Sequence, residues 1–122
     1  MRRWWDYKTA TGRRPVKEFI EKLDDDDVAA IMDAMREVKI KGLAVARHLD
    51  GDIYEVRANG NRVIYRVLFA PQGKRSQVLL ALEAFKKKSQ KTPPQAIKLA
   101  RQRLRDWESR GRKRRKMALS YF

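Results

Sequence analysis

The stretch Val78-Leu79-Leu80-Ala81-Leu82, followed by Glu83-Ala84-Phe85-Lys86-Lys87-Lys88, decides how the rest of this chain is interpreted. Its opening residues are all apolar, which is typical of a strand that is buried on both faces. The strand ends in a run of lysines, and Pro93-Pro94 then marks the start of a helix. Because clustered lysines repel one another, this run indicates that the end of the strand binds a polyanion, and RNA is the first candidate.

The composition agrees with that interpretation. The chain has 122 residues, enough for one domain, and its 30 Lys+Arg against 15 Asp+Glu give a formal net charge of +15. Such a charge attracts nucleic acids. We find neither a long apolar segment nor a signal-peptide pattern, so we expect a cytoplasmic protein that does not act at membranes. The absence of cysteine and the single histidine, His48, which we expect at the surface, argue against a metal or other cofactor.

Two amphipathic helices are predicted before the strands. The first begins at Pro15, a residue suited to a first helical turn, and its apolar stripe is Val16, Phe19, Ile20 and Leu23. The second carries Val28, Ile31, Met32, Met35 and Val38, and Gly42 ends it. The run Asp24-Asp25-Asp26-Asp27 between them is open to a metal-binding interpretation. Aspartate is favoured at helix starts, however, so we interpret the run as the start of the second helix.

The pattern as a whole predicts an α+β domain. An N-terminal strand lies within Arg2 to Thr9, and a two-helix hairpin follows it. An antiparallel three-stranded meander, with strands at residues 53–57, 62–69 and 77–85, completes a mainly antiparallel sheet. A C-terminal helix carries Ile97, Ala100, Leu104 and Trp107 as its apolar stripe. We assign residues 1–109 to this single domain and residues 110–122 to a basic C-terminal tail, which is expected to be disordered.

The dipeptide Asn59-Gly60 is a strong hairpin signal and sets the predicted strand register. With a two-residue loop, Arg57 lies opposite Arg62. Side chains alternate between faces, so the core face gathers Tyr54, Val56, Val63, Tyr65, Val67 and Phe69. The opposite face, expected to be open, gathers Ile53, Glu55, Arg57, Arg62, Ile64 and Arg66.

Opposed arginines destabilise a hairpin but suit phosphate binding. The third strand of the meander delivers Lys86, Lys87 and Lys88 to the same region, which strengthens the prediction of a phosphate site. The alternative is a surface network in which Glu55 and Glu83 neutralise the two arginines.

Several segments carry a recognisable pattern, and they are residues 15–20, 53–57, 62–67, 85–93 and 100–104. Together with the order of the elements, they resemble the RelE/ParE toxin superfamily, and most closely its HigB-like, phage-derived branch. The resemblance covers residues 3–108. It implies the RelE-like fold, which agrees with the α+β architecture predicted above.

The resemblance also implies an activity. HigB- and RelE-like toxins cleave messenger RNA in the ribosomal A site without a metal. The 2′-hydroxyl attacks the adjacent phosphate, leaving a cyclic phosphate and a free 5′-hydroxyl. By motif position the implied catalytic residues are Arg57, Arg62, Lys86 and Lys87. The implied RNA contacts are Lys88, Lys91, Arg66, Arg101 and Arg105.

The general base stays open at this point. Arginine does not deprotonate in proteins, whereas crowding by other cations favours a neutral amine, so Lys86 or Lys87 is a candidate. Tyr54 and Tyr65 are weaker candidates because both are predicted on the core face. Tyr121 is a further candidate, since some relatives carry a tyrosine or histidine near the carboxyl end.

The implied partners are an acidic antitoxin of the helix-turn-helix type, the ribosome and messenger RNA. Two other functions remain open. One is ParE-like inhibition of DNA gyrase, which needs binding and no cleavage. The other is a non-catalytic protein that binds RNA or the ribosome. The lysine cluster favours the nuclease.

Overall fold

Strands and helices follow one another in the predicted order. A computed structural model describes the backbone of residues 2–120 and the side chains of residues 2–111. The strands are β1 (Arg3–Asp6), β2 (Arg47–Asp50), β3 (Ile53–Asn59), β4 (Ile64–Gln72) and β5 (Val78–Lys86). The helices are α1 (Pro15–Glu21), α2 (Asp25–Lys41) and α3 (Pro94–Ser120), and a 3-10 turn occupies Gly42–Val45.

The strands form one sheet of order β1-β5-β4-β3-β2. β1 pairs with β5 in parallel, and the other pairings are antiparallel. The predicted α+β, mainly antiparallel architecture is therefore confirmed. β2 was not predicted, because its sequence, Arg-His-Leu-Asp, has one apolar residue and no alternation. His48, on β2, is exposed as expected, and its Nε2 lies 2.6 Å from the Gly51 carbonyl oxygen.

Different helices cover the two faces of the sheet. α1 and α2 pack on one face, in a core that includes Val16, Ile31, Val38, Val67 and Phe69. α3 packs on the other face, in a core that includes Ala100, Leu104, Ile53, Leu68 and Leu80. The prediction that this second face is open is wrong, because α3 covers it. Glu55 and Arg66 are consequently buried, with 1% and 0% of their surface exposed.

The predicted register of the β3–β4 hairpin is also wrong. Arg57 pairs with Arg66 and not with Arg62, and Asn59 pairs with Ile64. The loop is thus the four residues 60–63, closed by a 2.7 Å hydrogen bond from the Gly60 amide to the Val63 carbonyl. The partner of Arg57 is thus residue 66 where residue 62 was predicted. Because this shift is an even number of residues, each paired side chain keeps its predicted face.

α3 continues through the block that was expected to be a disordered tail. The helix runs to Ser120, so that expectation is wrong for the backbone of residues 110–120. Arg110 packs on the domain, donating hydrogen bonds to the Lys8 carbonyl and, at 2.9 Å, to Asp106 Oδ2. The role of the following residues as an interaction tail stays a prediction. No helix in the described part of the chain is long and apolar enough to cross a bilayer.

Candidate nucleic-acid site at the hairpin end

The predicted catalytic cations gather at one end of the sheet, called the hairpin end here and defined by Arg57, Arg62, Lys86 and Lys87. Arg57 lies near the end of β3, Arg62 lies in the loop, and Lys86 ends β5. The start of β4 joins them, since Tyr65 pairs with Ala58 on one side and Lys86 on the other. The Lys87 amide donates to the Ile64 carbonyl at 2.7 Å. Adjacent strands are about 4.8 Å apart, so these backbones are close neighbours.

Asp27 of α2 anchors the loop that carries Arg62. Its carboxylate accepts hydrogen bonds from the Asn61 amide at 2.8 Å and from the Tyr65 hydroxyl at 2.7 Å. Gly60 allows this approach, because a Cβ there would lie 2.6 Å from Asp27 Oδ1 and 2.8 Å from Tyr65 Cε2. The loop is thus tied to α2 by a side chain that is itself buried.

The interpretation of the aspartate run as a helix start is confirmed, because α2 begins at Asp25. The N-cap residue, Asp24, makes no side-chain capping hydrogen bond. Asp27 does more than begin the helix, because its carboxylate accepts hydrogen bonds from the hairpin. Among the described residues, no group of three or more His, Cys, Asp or Glu side chains is arranged to hold a metal ion.

Hydrogen bonds set the protonation states of the Asp27–Tyr65 pair. Those from Tyr65 and the Asn61 amide lower the pKa of Asp27, and the nearby positive charge of Lys86 acts in the same direction. Burial, followed by the Asp27 carboxylate, raises the pKa of Tyr65 to about 12. At neutral pH Asp27 is therefore charged and Tyr65 is a neutral donor. Tyr65 is 1% exposed, which agrees with its low ranking as a catalytic base.

Arg66 anchors the segment that follows β5, called the lysine loop here (residues 87–93). Its Nη2 donates to the carbonyls of Ser89 at 3.0 Å and Gln90 at 2.8 Å, and its Nη1 donates to Thr92 Oγ1 at 3.0 Å. The Thr92 hydroxyl in turn donates to Glu55 Oε2, which lies 3.6 Å from Arg66 Nη1. The predicted RNA contact at Arg66 is not compatible with this burial, because no part of its side chain reaches the surface.

The alternative network of Glu55 and Glu83 is present in part. Glu55 Oε1 lies 3.4 Å from Arg57 Nε, but Glu55 is buried and does not form a surface bridge. Glu83 forms its ion pair with Arg103, at 3.3 Å, and not with an arginine of the hairpin. Arg57 keeps 43% of its side chain exposed.

The remaining cations of the hairpin end have no direct ion-pair partner in the described part of the chain. Arg62, Lys86 and Lys87 form no direct ion pair with any carboxylate of the described residues. Positive charge therefore accumulates at the hairpin end.

The other predicted RNA contacts divide into two groups. Lys88 and Lys91 are exposed on the lysine loop, on either side of the carbonyls that Arg66 holds. Arg101 lies elsewhere, because it pairs with Asp50 beside the far end of β3. Arg105 is exposed one turn further along α3. Tyr121, the proposed acid or base, lies outside the described residues.

The sequence pattern missed the residues that position this site, namely Asp27, Gly60 and Thr92. Gly60 carried a weak signal as the glycine that follows a hairpin asparagine. Asp27 carried a weak signal as the last member of an acidic run. Thr92 offered none beyond its place before two prolines. The hydrogen bonds of Asp27 to the hairpin and that of Thr92 to Glu55 join residues 34 to 38 positions apart, a separation that no local pattern encodes.

Comparisons with known proteins identify relatives of this chain. A family model described as "Phage derived protein Gp49-like" matches residues 18–105, a range that contains the hairpin end and the lysine loop. A curated protein of Mycobacterium tuberculosis, "Probable endoribonuclease HigB1", is 36% identical over 109 residues, which cover 86% of this chain and 84% of that protein. The protein of the same name from a second strain matches equally. The chain therefore belongs to the Gp49-like family of phage-derived, RelE/HigB-like toxins that its sequence resembles.

Proposed function

We propose that this protein is the toxin of a type II toxin–antitoxin system and a ribosome-dependent, metal-independent endoribonuclease that cleaves messenger RNA. One observation carries the proposal: cations from two strands and two loops gather at the hairpin end, and both loops are held by buried polar contacts. The relatives named as probable endoribonucleases support the same reading.

The proposed reaction needs charge stabilisation above all. The 2′-oxygen attacks the adjacent phosphorus, the bond to the 5′-oxygen breaks, and a cyclic phosphate and a 5′-hydroxyl result. Negative charge grows on the non-bridging phosphate oxygens in the transition state, and fixed cations stabilise it. Arg57 and Arg62 suit this role because guanidinium groups bind phosphate with paired hydrogen bonds.

The two lysines have different surroundings, which suggests different roles. The positive charge of Lys86 lies near Asp27 and helps to lower the pKa of that carboxyl group, and we assign Lys86 to phosphate binding. Lys87 Nζ instead contacts the neutral Gln90 Oε1 at 3.3 Å. Lys87 is therefore our candidate for the base that takes the 2′-hydroxyl proton. Water supplies the proton that the leaving 5′-oxygen takes up.

The decisive experiment measures cleavage in vivo. Expression of the wild-type chain should create new 5′ ends at ribosome-occupied codons of a reporter message, detected by primer extension. Arg62→Gln and Lys87→Ala should each lower that cleavage about 100-fold or more, the effect expected for removing one transition-state contact. Glutamine at Arg62 removes the charge and keeps a polar side chain of similar length.

Matched controls come from the β4–β5 turn. Arg75→Gln and Lys74→Ala remove the same charges from exposed positions at the other end of the sheet and should leave cleavage unchanged. Equal losses in the two sets would mean that bulk charge and not the hairpin end is responsible. Growth arrest with supercoiling defects and no new 5′ ends would favour a gyrase inhibitor and contradict the nuclease.

An antitoxin is the proposed partner, since the family pairs a toxin with one. The formal net charge of +15 predicts that the antitoxin is acidic, and we propose a helix-turn-helix protein encoded by an adjacent gene. Co-expression of the neighbouring reading frame should restore growth, and the two proteins should purify together. An adjacent product that neither rescues growth nor binds would contradict this part of the proposal.

A further inference from the structure

An aromatic cluster in which the Trp5 indole is exposed lies at the edge strand β1, away from the hairpin end. We call it the aromatic patch and define it by Arg3, Trp5, Tyr7, Trp107 and Arg110. Trp5 leaves 45% of its surface exposed. Its neighbour on β5 is Leu80, six residues before Lys86, so the two sites are roughly 20 Å apart along the strand. The patch is therefore a separate surface.

Arginines and aromatic rings alternate within the patch. The Arg3 guanidinium lies 5.3 Å from the Trp5 ring centroid, and the Trp5 ring is 6.2 Å from that of Trp107. Trp107 is in turn 6.5 Å from Tyr7. The Arg110 guanidinium lies over both of these rings, at 5.8 and 5.6 Å. Guanidinium groups over aromatic faces form cation–π contacts, which hold the rings in place.

A groove of about 350 Å³ runs beside the exposed indole, lined by Trp4, Trp5, Asp6, Lys8, Arg14 and Trp107. Asp6, its acidic member, is already paired with Arg14. Arg3 and Lys8 form no ion pair with any described carboxylate. The groove thus offers an apolar platform flanked by cations that are free to bind an anion.

The basic block of the sequence follows this patch directly. Arg110 packs on Lys8, Tyr7 and Trp107, and the next residues are Gly111-Arg112-Lys113-Arg114-Arg115-Lys116. α3 carries the chain onward from the patch through these positions. The densest run of positive charge in the sequence therefore directly follows a residue of the patch.

We infer that the aromatic patch binds single-stranded RNA, with a base stacked on Trp5 and the flanking phosphates held by Arg3 and Lys8. Aromatic platforms within positively charged grooves bind single strands in this way with little sequence preference. A protein partner fits less well, because Lys8 lines the groove, and lysine is depleted at protein interfaces but is a common phosphate ligand. The inference does not rest on the proposed cleavage, since RNA binding at the patch needs no reaction at the hairpin end.

The test uses the full-length chain carrying Arg62→Gln and Lys87→Ala, so that the hairpin end contributes little to binding. A fluorescently labelled 12-residue oligouridine is the probe, and anisotropy gives the affinity. Adding Trp5→Ala should weaken binding about 5- to 100-fold, the range expected for losing one base–aromatic stack. Adding Trp5→Phe should restore most of the affinity, whereas adding Arg75→Gln should change it little.

Indole resonances in a nitrogen–proton NMR spectrum locate the contact. The signals of Trp5 and Trp107 should shift on addition of the oligonucleotide. The signal of Trp4 should shift less than either, because its indole nitrogen donates a 2.7 Å hydrogen bond to the Met35 carbonyl on the other side of the sheet, although Trp4 also lines the groove. Unchanged affinity of the Trp5→Ala protein, or an unshifted Trp5 signal, overturns the inference. A Trp5 signal that responds to the co-expressed antitoxin and not to RNA would make the patch a protein interface and would overturn it as well.

Discussion

The two hairpin turns of the sheet carry similar residues but are built differently. The β3–β4 loop holds Gly60 and Arg62, and the β4–β5 turn holds Gly73, Lys74 and Arg75. α2 clamps the first loop through Asp27, whose carboxylate binds the Asn61 amide. The second turn relies on a local contact, in which Gln77 Oε1 accepts a 3.0 Å hydrogen bond from the Arg75 amide. One turn is thus fixed by a distant element, and the other by a neighbour in sequence.

This difference shows why exposed charge alone does not identify a site in so basic a chain. Lys74 and Arg75 are exposed and are as positive as the cations of the hairpin end. What distinguishes the hairpin end is that buried polar groups hold both of its loops in place. Preorganised charge stabilises a transition state, whereas mobile charge must first be ordered. We therefore expect substitutions that remove this anchoring to affect the two turns differently.

The largest effect is expected for Glu55→Ala, which removes the carboxylate beneath the lysine loop. Arg66 would keep its buried charge without a carboxylate, so we expect a loss of about 3–5 kcal/mol in the free energy of unfolding. Urea unfolding followed by circular dichroism measures it. Glu83→Ala breaks the partly exposed pair with Arg103 and should cost about 1 kcal/mol. Similar losses in the two variants would mean that the Glu55–Thr92–Arg66 network is not a special anchor.

A smaller effect is expected for Gly60→Ala, which tests the clamp itself. The new methyl group would meet Asp27 Oδ1 at 2.6 Å and Tyr65 Cε2 at 2.8 Å, and neither can retreat easily. We expect a loss of about 1–3 kcal/mol in the free energy of unfolding, as for other overpacked sites, together with reduced RNA cleavage.

The matched variant is Gly73→Ala in the other turn. It meets the flexible side chain of Gln77 at 2.6 Å, and its φ of +89° adds backbone strain. We expect it to cost about 1–2 kcal/mol while cleavage stays at the wild-type level. A Gly73→Ala protein that loses as much cleavage as Gly60→Ala would contradict the distinction between the turns.

Most of the fold was predictable because its signals are local. The helical stripes, the apolar run of β5 and the turn region after Asn59 are each encoded within a few residues. The exact register was not, because the Asn-Gly signal favours a two-residue turn while Asp27, 34 residues away from Asn61, stabilises a longer loop. A contact over that distance outweighs the local preference.

The charged residues of the candidate site were predictable from the sequence, whereas the residues that hold them in place were not. Arg66 has the same side-chain chemistry as Arg57 and follows the same alternation, so sequence alone assigned both to a surface. Their difference arises because α3 and the lysine loop cover one and leave the other at the edge. Burial of a charged residue depends on which element packs over it, and hydrophobic periodicity does not report that.

The titration of Tyr65 probes the clamp without changing its shape. Burial and the Asp27 carboxylate raise the pKa of Tyr65 to about 12, and the pKa of Tyr7 is raised as well by burial and Asp106. In a chain whose other tyrosines are replaced by phenylalanine, absorbance at high pH should therefore show Tyr65 ionising well above the ordinary value of 10.0. Asp27→Asn should lower its pKa while leaving it above the ordinary value of 10.0, because burial is the larger cause. No change on substitution would argue against the Asp27–Tyr65 contact.

The smallest expected effect is a difference between two backbone amides in acid. Hydrogen bonds from Tyr65 and Asn61 lower the pKa of Asp27 below its ordinary value of 3.8. A lowered folded-state pKa means that the stabilising contribution is complete above that ordinary value and is lost as the pH falls through the lowered one. The Asn61 amide resonance should therefore titrate in this acidic range. The Arg75 amide should not, because its acceptor is the amide oxygen of Gln77, which does not ionise. If both resonances moved together, general acid unfolding would be the cause, and the clamp would have no titration of its own.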